Sequence, residues 1–153
     1  MKKIITALAG LLAIVTVQAQ GEVYKSEICL IYKGTLQTLE GEYSTATGKY
    51  SVVIDGKQIH IDSLHQKGTD YAAAATWYIN NETIEINKTK YKKFGLPRVL
   101  SAAEITKFTE YKGVGIYRES GMPGAKPAPG DPEVIYVPVK AQCEFQPYVK
   151  PFN

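Results

Sequence analysis

The strongest constraint on the fold is a pair of strand-like stretches that are separated by Asp55-Gly56. The first stretch covers residues 50–54 and the second covers residues 57–62. Asp-Gly is favoured in two-residue type I′ turns, because both central residues of such a turn need a positive φ. The turn sets the register of a hairpin, with these pairs: Ile54 with Lys57, Val52 with Ile59, Tyr50 with Ile61, Val53 with Gln58, Ser51 with His60 and Lys49 with Asp62. One face is then largely apolar, which predicts an antiparallel sheet with one packed face.

A further strand-like stretch, residues 76–86, predicts another hairpin with Asn80 and Asn81 as its turn. Asparagine tolerates the left-handed backbone region, so it suits both central positions of a type I′ turn. In this register Trp77 faces the core, whereas Tyr78 lies on the opposite face.

Further strands are predicted at about 27–36, 69–75, 111–118 and 133–140. Residues 28–32 and 134–137 are apolar on both faces, as is typical of central strands, and we expect them to lie close together. The four alanines at 72–75 are small for a strand and are also compatible with a short helical turn.

One short helix is predicted near 102–110. Ser101 and Glu104 have the spacing of a capping box, and Leu100 and Ile105 have that of a hydrophobic staple. Residues 119–133 are rich in proline and glycine and are predicted to form an exposed loop. The sequence thus indicates a mostly β protein, an antiparallel sandwich or small barrel of about seven to nine strands with this one helix.

The N-terminal segment has the composition of a secretory signal peptide. Lys2 and Lys3 precede an uncharged run from residue 4 to residue 17, and the small residue Ala19 follows. The run is shorter than the roughly 20 residues that span a bilayer. We therefore expect cleavage after Ala19, leaving residues 20–153 as a single β-rich domain in the periplasm or outside the cell. An N-terminal Gln20 resembles that of many exported proteins of gram-negative bacteria.

The two cysteines, Cys29 and Cys143, are expected to form a disulfide, because export places them in an oxidising compartment. Two buried free thiols, or one reactive thiol, are the alternatives. Without Lys2 and Lys3 the chain is nearly neutral, so it has no general attraction for nucleic acid or anionic membranes. No second apolar stretch has membrane-spanning length, and we expect no membrane span.

Few residues indicate catalysis or metal binding. His60, Asp62 and His65 are metal-ligating types, but the hairpin register places His60 on a polar face and pairs Asp62 with Lys49. The sequence contains no Gly-x-Ser-x-Gly nucleophile motif. We therefore predict no catalytic residue, no metal and no cofactor. A small secreted hydrolase remains an alternative, for which one of the two histidines or a carboxylate pair would carry the reaction.

Residues 87–94 indicate a binding surface. Lys88, Lys90 and Lys92 alternate there, and Tyr91 lies between two of them. Tyr91 and the nearby Tyr78 are both predicted to be exposed. Such a surface suits an anionic glycan or an acidic patch on a protein. From the sequence we nevertheless favour an edge strand whose lysines prevent sheet-to-sheet aggregation, and the binding surface is the other interpretation. Eleven tyrosines also favour an interaction surface, although tyrosine is common in strands.

These features favour an exported, non-catalytic binding protein of the bacterial cell envelope. Its expected partner is an envelope or extracellular protein, which would make the chain an inhibitor, an immunity-type protein or an accessory subunit of an assembly. A glycan-binding module and a small secreted hydrolase are the alternatives.

Overall fold

A computed structural model describes residues 21–65, 70–121 and 129–151. The predicted signal peptide and its cleavage point lie outside these residues. The described chain forms two antiparallel sheets. The first has four strands in chain order: β1 (Val23–Tyr32), β2 (Thr35–Ser44), β3 (Lys49–Ile54) and β4 (Lys57–His60).

The second sheet has seven strands and longer-range pairing. Its strands are β5 (Ile84–Ile86), β6 (Thr89–Lys93), β7 (Arg98–Val99), β8 (Ile105–Tyr111), β9 (Val114–Glu119), β10 (Val134–Lys140) and β11 (Glu144–Val149). Their order is β5-β6-β11-β10-β9-β8, and β7 also pairs with β11. A mostly β antiparallel sandwich is therefore confirmed, with more strands than the sequence indicated.

Two-residue turns with positive φ at both residues close four of the hairpins. They are Lys33-Gly34, Asp55-Gly56, Asn87-Lys88 and Lys112-Gly113. The predicted register of β3 and β4 is confirmed for four pairs, from Ile54 opposite Lys57 to Ser51 opposite His60. Beyond His60 the chain enters a 3-10 turn (Ile61–Ser63), so the pairs predicted for Ile61 and Asp62 do not form.

The second predicted hairpin is wrong. Residues Thr76–Ile79 form a one-turn helix, α1, instead of a strand. Asn81 does adopt a positive φ, but as the residue that ends the helix: its N–H donates to the Tyr78 carbonyl, and the Glu82 N–H donates to the Trp77 carbonyl. This is the bonding of a Schellman motif. Residues 84–86 pair instead with β6, through the turn at Asn87-Lys88.

The helix predicted near 102–110 is also wrong, because residues 105–111 form β8. The capping-box contact itself is present, since the Ser101 N–H donates to a Glu104 carboxylate oxygen at 2.7 Å. The Glu104 N–H in turn donates to the Ser101 carbonyl, which closes a turn into the strand. A local capping contact therefore does not suffice for a helix where the following residues pair with β9.

The other predicted strands have mixed outcomes. The strand at 133–140 is confirmed as β10, and 111–118 overlaps β9. Residues 27–36 contain the end of β1, a turn and the start of β2. Residues 70–75 form bends and turns, and 66–69 lie outside the described part of the chain. The predicted loop at 119–133 is irregular at 120–121 and 129–133, and its residues 122–128 are not described.

The core has two parts, one on each face of the seven-stranded sheet. The inner face packs against the four-stranded sheet through a cluster that includes Ile28, Leu30, Val52, Tyr117, Tyr136 and Phe145. The outer face is covered by α1 and neighbouring segments, and its cluster includes Trp77, Tyr91, Ile116, Ile135 and Tyr148. Trp77 is buried as predicted, although in a helix.

A disulfide between Cys29 and Cys143 joins the two sheets, as predicted, with their Cα atoms 5.3 Å apart. Next to it, the Gln142 N–H donates to the Cys29 carbonyl at 2.6 Å.

β10 is a central strand as expected, whereas β1 is an edge strand. β1 is nevertheless buried at this end, because the Ile31 N–H donates to the Tyr71 hydroxyl, which covers the strand edge.

Candidate binding surface

The inner face of the seven-stranded sheet is only partly covered by the four-stranded sheet. In the register of β9, β10 and β11, Tyr117 lies opposite Tyr136, and Val134 lies opposite Val149. Residues opposite each other share a face, so all four side chains lie on the inner face. Tyr117 and Tyr136 are buried between the sheets, whereas Val134 and Val149 line an open groove of about 530 Å³.

The groove is bordered by a protruding segment, residues 94–99, which we call the apolar loop. β6 leaves β11 after Lys93 pairs with Tyr148, and β7 rejoins β11 where Arg98 pairs with Phe145. Residues 94–97 therefore lie opposite only Gln146 and Pro147, and the chain bulges outward. Three large apolar side chains on the loop are exposed: Phe94 by 59%, Leu96 by 82% and Val99 by 74%.

Gln146 holds the apolar loop in place. This side chain is buried, and its Nε2 atom donates to the carbonyl oxygens of Phe94 at 2.9 Å and Gly95 at 3.2 Å. The Phe94 N–H also donates to the Pro147 carbonyl at 3.0 Å. Gly95 has φ +62°, a conformation that disfavours other residues, and Pro97 restricts the chain further. The loop is thus a rigid apolar protrusion.

Positive charges flank the apolar loop on both sides. Arg98 is exposed within it, and Lys92 is exposed on β6 opposite Val149, so Lys92 lies on the same sheet face as the groove. Lys90, two residues earlier, shares this face and lies opposite Glu85. None of the ion pairs formed among the described residues involves these three cations. Their charges are therefore available to a partner.

Glu119 lies where the groove meets two smaller depressions, of about 350 and 220 Å³. One of its carboxylate oxygens accepts a hydrogen bond from the Tyr136 hydroxyl at 2.7 Å. Burial, together with this bond, raises the pKa of Tyr136 to about 12. The bond to a buried tyrosine fixes Glu119 at the groove wall, which Arg98 also lines.

The predicted binding residues are only partly brought together. Lys90 and Lys92 lie beside the groove, whereas Lys88 is exposed in the β5–β6 turn. Tyr78 lies in α1, where it is half-buried and the Lys93 ammonium is 3.6 Å from its ring centre. β6 is an interior strand of its sheet, so the favoured interpretation of a lysine-protected edge strand is wrong.

The predicted exposure of Tyr91 is wrong. Its side chain is fully buried, its hydroxyl donates to the Pro132 carbonyl at 2.8 Å, and burial raises its pKa to about 12. Four further tyrosines are buried in the same way: Tyr71, Tyr117, Tyr136 and Tyr148. Much of the tyrosine content therefore builds the core, and it is weaker support for an interaction surface than the sequence suggested.

The two histidines lie apart from the groove. His60 is exposed at the end of β4, and Asp62 is in the 3-10 turn. His65 is half-buried, and its Nε2 atom accepts a hydrogen bond from the Ala141 N–H at 2.9 Å. Within residues 21–65, 70–121 and 129–151, no group of three or more His, Cys, Asp or Glu residues is placed to hold a metal ion.

Sequence reasoning missed the apolar loop, although a signal was present. The residues Phe94-Gly95-Leu96-Pro97 combine large apolar side chains with glycine and proline, which disfavour a strand interior. Large apolar residues in a turn-forming segment indicate either burial under another element or exposure for binding.

Comparison with known proteins gives no relative: no family model matches the chain, and no curated protein or solved structure is significantly similar to it. Over the part of the chain that the structure describes, no helix is long and apolar enough to cross a membrane.

Proposed function

We propose that this chain is an exported, non-catalytic binding protein of the bacterial cell envelope, and that it captures a protein partner through the apolar loop and the adjoining groove. The signal-like N-terminal segment and the Cys29–Cys143 disulfide support export, because such bonds persist in oxidising compartments. By capturing this partner the chain acts as an inhibitor, an immunity-type protein or an accessory assembly subunit.

The exposure of Leu96 and its apolar neighbours carries the proposal. An exposed apolar side chain on a mobile loop is common, but this loop is held by a buried glutamine and by backbone bonds. Holding a binding element in one conformation before it meets its partner reduces the entropy cost of association. The exposed cations Lys92 and Arg98 add charge selectivity around the apolar centre, as in many protein interfaces.

The two carboxylates near the groove have structural partners, which favours binding over catalysis. Glu119 accepts the Tyr136 hydroxyl, and Glu104 accepts the Ser101 N–H, which lowers the pKa of Glu104. The second sequence-based alternative, a histidine-dependent hydrolase, is less well supported. His65 uses its Nε2 lone pair to accept a backbone N–H and lies half-buried at the β10–β11 turn.

The proposal is tested by capture from a native envelope extract with the tagged full chain and two matched variants. Leu96→Asp places a charge at the centre of the apolar loop. Ile79→Asp makes the same change at a residue that is similarly exposed but lies in α1. We expect a stoichiometric partner with the wild type and with Ile79→Asp, and at least about tenfold less of it with Leu96→Asp.

Equal capture by both variants would show that the apolar loop is not the binding surface. Retention on polysaccharide fractions instead of protein, competed by free sugar, would favour the glycan-binding alternative and overturn the proposal.

A further inference from the structure

We infer that a second copy of this chain is a partner for the apolar loop, so that copies join head to tail. The inference rests on the proposed binding role of the loop and names its occupant. The receiving surface is a depression of about 400 Å³ on the four-stranded sheet, lined by Glu40, Gly41, Glu42, Ser51, Val52, Val53 and Gln58.

This depression lies on the face of the four-stranded sheet that is turned away from the core. Val53 lies opposite Gln58, and Ser51 lies opposite Glu42, so these residues share one face. Val52 and Ile54 alternate with them and are buried on the other face. We call the outward surface formed by Glu27, Glu40, Glu42 and Val53 the acidic face.

On the acidic face, negative charges outnumber the positive charges that pair with them, and two carboxylates lie opposite each other. Glu27 of β1 lies directly opposite Glu40 of β2, and like charges in that position destabilise a sheet. Lys25 bonds Glu40 at 2.7 Å and lies directly opposite Glu42, so this one cation serves two of the three carboxylates. Among the described residues no ion pair involves Glu27. A cation supplied from outside would offset this repulsion.

The apolar loop and the acidic face are complementary in both charge and polarity. The loop presents Leu96 between the cations Lys92 and Arg98. The acidic face presents Val53, which is 64% exposed, beside Glu40 and Glu42. A convex apolar tip flanked by positive charge thus meets a concave surface with an apolar residue flanked by negative charge. Such matching steers association and fixes its register.

The two surfaces lie on different sheets, so the contact would be heterologous: the loop of one copy occupies the acidic face of the next. An interface of this kind leaves one free loop and one free acidic face on every dimer. Addition of copies therefore continues beyond the dimer unless the rotation between copies closes a ring. Because charges contribute, self-association is expected to weaken as salt is added.

Sedimentation velocity of the full chain, over a wide range of concentration at low ionic strength, tests this inference. We expect the wild-type sedimentation coefficient to rise with concentration past the value for a dimer. The loop variant, Lys92→Glu/Arg98→Glu, and the face variant, Glu40→Lys/Glu42→Lys, should each associate at least about tenfold more weakly, because each confronts like charges. The control Lys88→Glu/Lys112→Glu has the same net charge as the loop variant and should behave as wild type.

Mixing the loop and face variants provides a rescue. In an equimolar mixture the reversed loop meets a reversed face, and each native loop meets a native face, so we expect association to return. A wild-type chain that stays monomeric, or variants that associate as strongly as wild type, would overturn the inference. A monomer that still captures another protein through Leu96 would leave the proposed function intact, which keeps the two failures distinguishable.

Discussion

The two ends of the inner face of the seven-stranded sheet are built from the same strands but have different environments. At the covered end, Tyr136 and Phe145 are buried against the four-stranded sheet. At the open end, Val134 and Val149 of the same two strands line a groove beside the exposed Leu96. The difference arises because the four-stranded sheet covers only part of this face.

Because of this difference, we expect the covered end to determine the stability of the protein and the open end to determine its binding. Burial of large side chains at the covered end supplies the hydrophobic free energy that holds the sandwich together. The open end buries less, yet it is held in a defined shape by Gln146. Substitutions at the covered end should therefore unfold the protein, and those at the open end should change binding while the fold persists.

The largest expected effect is at the disulfide that joins the two sheets near the covered end. Cys29 and Cys143 are separated by 114 residues, so their bond removes much of the entropy of the unfolded chain. Replacing both with alanine should lower the free energy of unfolding by about 4–5 kcal/mol in the chain-entropy model. Urea denaturation of both proteins, without reductant, measures this. If the free energy of unfolding falls by less than about 1 kcal/mol, the packing of the two sheets, and not the disulfide, stabilises the covered end.

A matched pair of truncations tests the comparison directly. Phe145→Ala should cost about 3–5 kcal/mol, because it leaves a cavity beside Tyr117, whose ring packs 5.4 Å away. Leu96→Ala should change the free energy of unfolding by no more than about 0.5 kcal/mol, since its side chain is exposed. Thermal and urea unfolding of both variants provide the values. Equal costs would contradict the division into a covered and an open end.

An intermediate effect is expected at Gln146, which connects the core to the apolar loop. Gln146→Leu retains the buried volume but removes the bonds to the Phe94 and Gly95 carbonyls, at a cost of about 1–2 kcal/mol. The larger change should be local: the Phe94 amide should exchange with solvent faster, as followed by hydrogen exchange. Gln37→Leu, at a half-buried position of β2, is the control and should leave that amide unchanged.

The β3–β4 hairpin of the four-stranded sheet was the most predictable part of the fold, because its pairing is local, whereas β2 was not predicted and the β1–β2 turn fell inside a predicted strand. An Asp-Gly turn fixes the register of β3 and β4, and the two strands are neighbours in the chain. The same turn chemistry was overlooked where the sequence is Lys-Gly or Asn-Lys. There, Lys33, Lys88 and Lys112 adopt a positive φ that sequence reasoning does not expect of lysine.

The open end was less predictable because it depends on pairing between distant segments. Lys92 and Lys90 were singled out from their alternation, but their position beside the groove follows from β6 pairing with β11, which lies more than 50 residues away in sequence. The apolar loop likewise exists because β6 and β7 both pair with β11. The residues Phe94-Gly95-Leu96-Pro97 indicate a break in the strand, but no local pattern specifies that the segments on both sides pair with β11. Tyr91 was misplaced for the same reason.

The smallest effect is a dependence of stability on pH that acts through His65 at the covered end. Burial lowers the pKa of His65, Lys140 adds to this, and the nearby Asp62 and Glu144 oppose it. The neutral ring accepts the Ala141 N–H and packs edge-on against Tyr71, whereas protonation of Nε2 removes the acceptor.

Because the folded pKa is below the unfolded value, the unfolded chain binds the proton more readily as pH falls. The stabilisation by neutral His65 is therefore complete above the unfolded pKa, near 6.5, and is lost as pH falls towards the folded pKa. The unfolding temperature should decrease between neutral and mildly acidic pH in the wild type, and less so in His65→Gln. His60→Gln, a change at the exposed histidine, should keep the wild-type profile. If His65→Gln leaves the dependence of the unfolding temperature on pH unchanged, then protonation of His65 does not control the stability of the covered end.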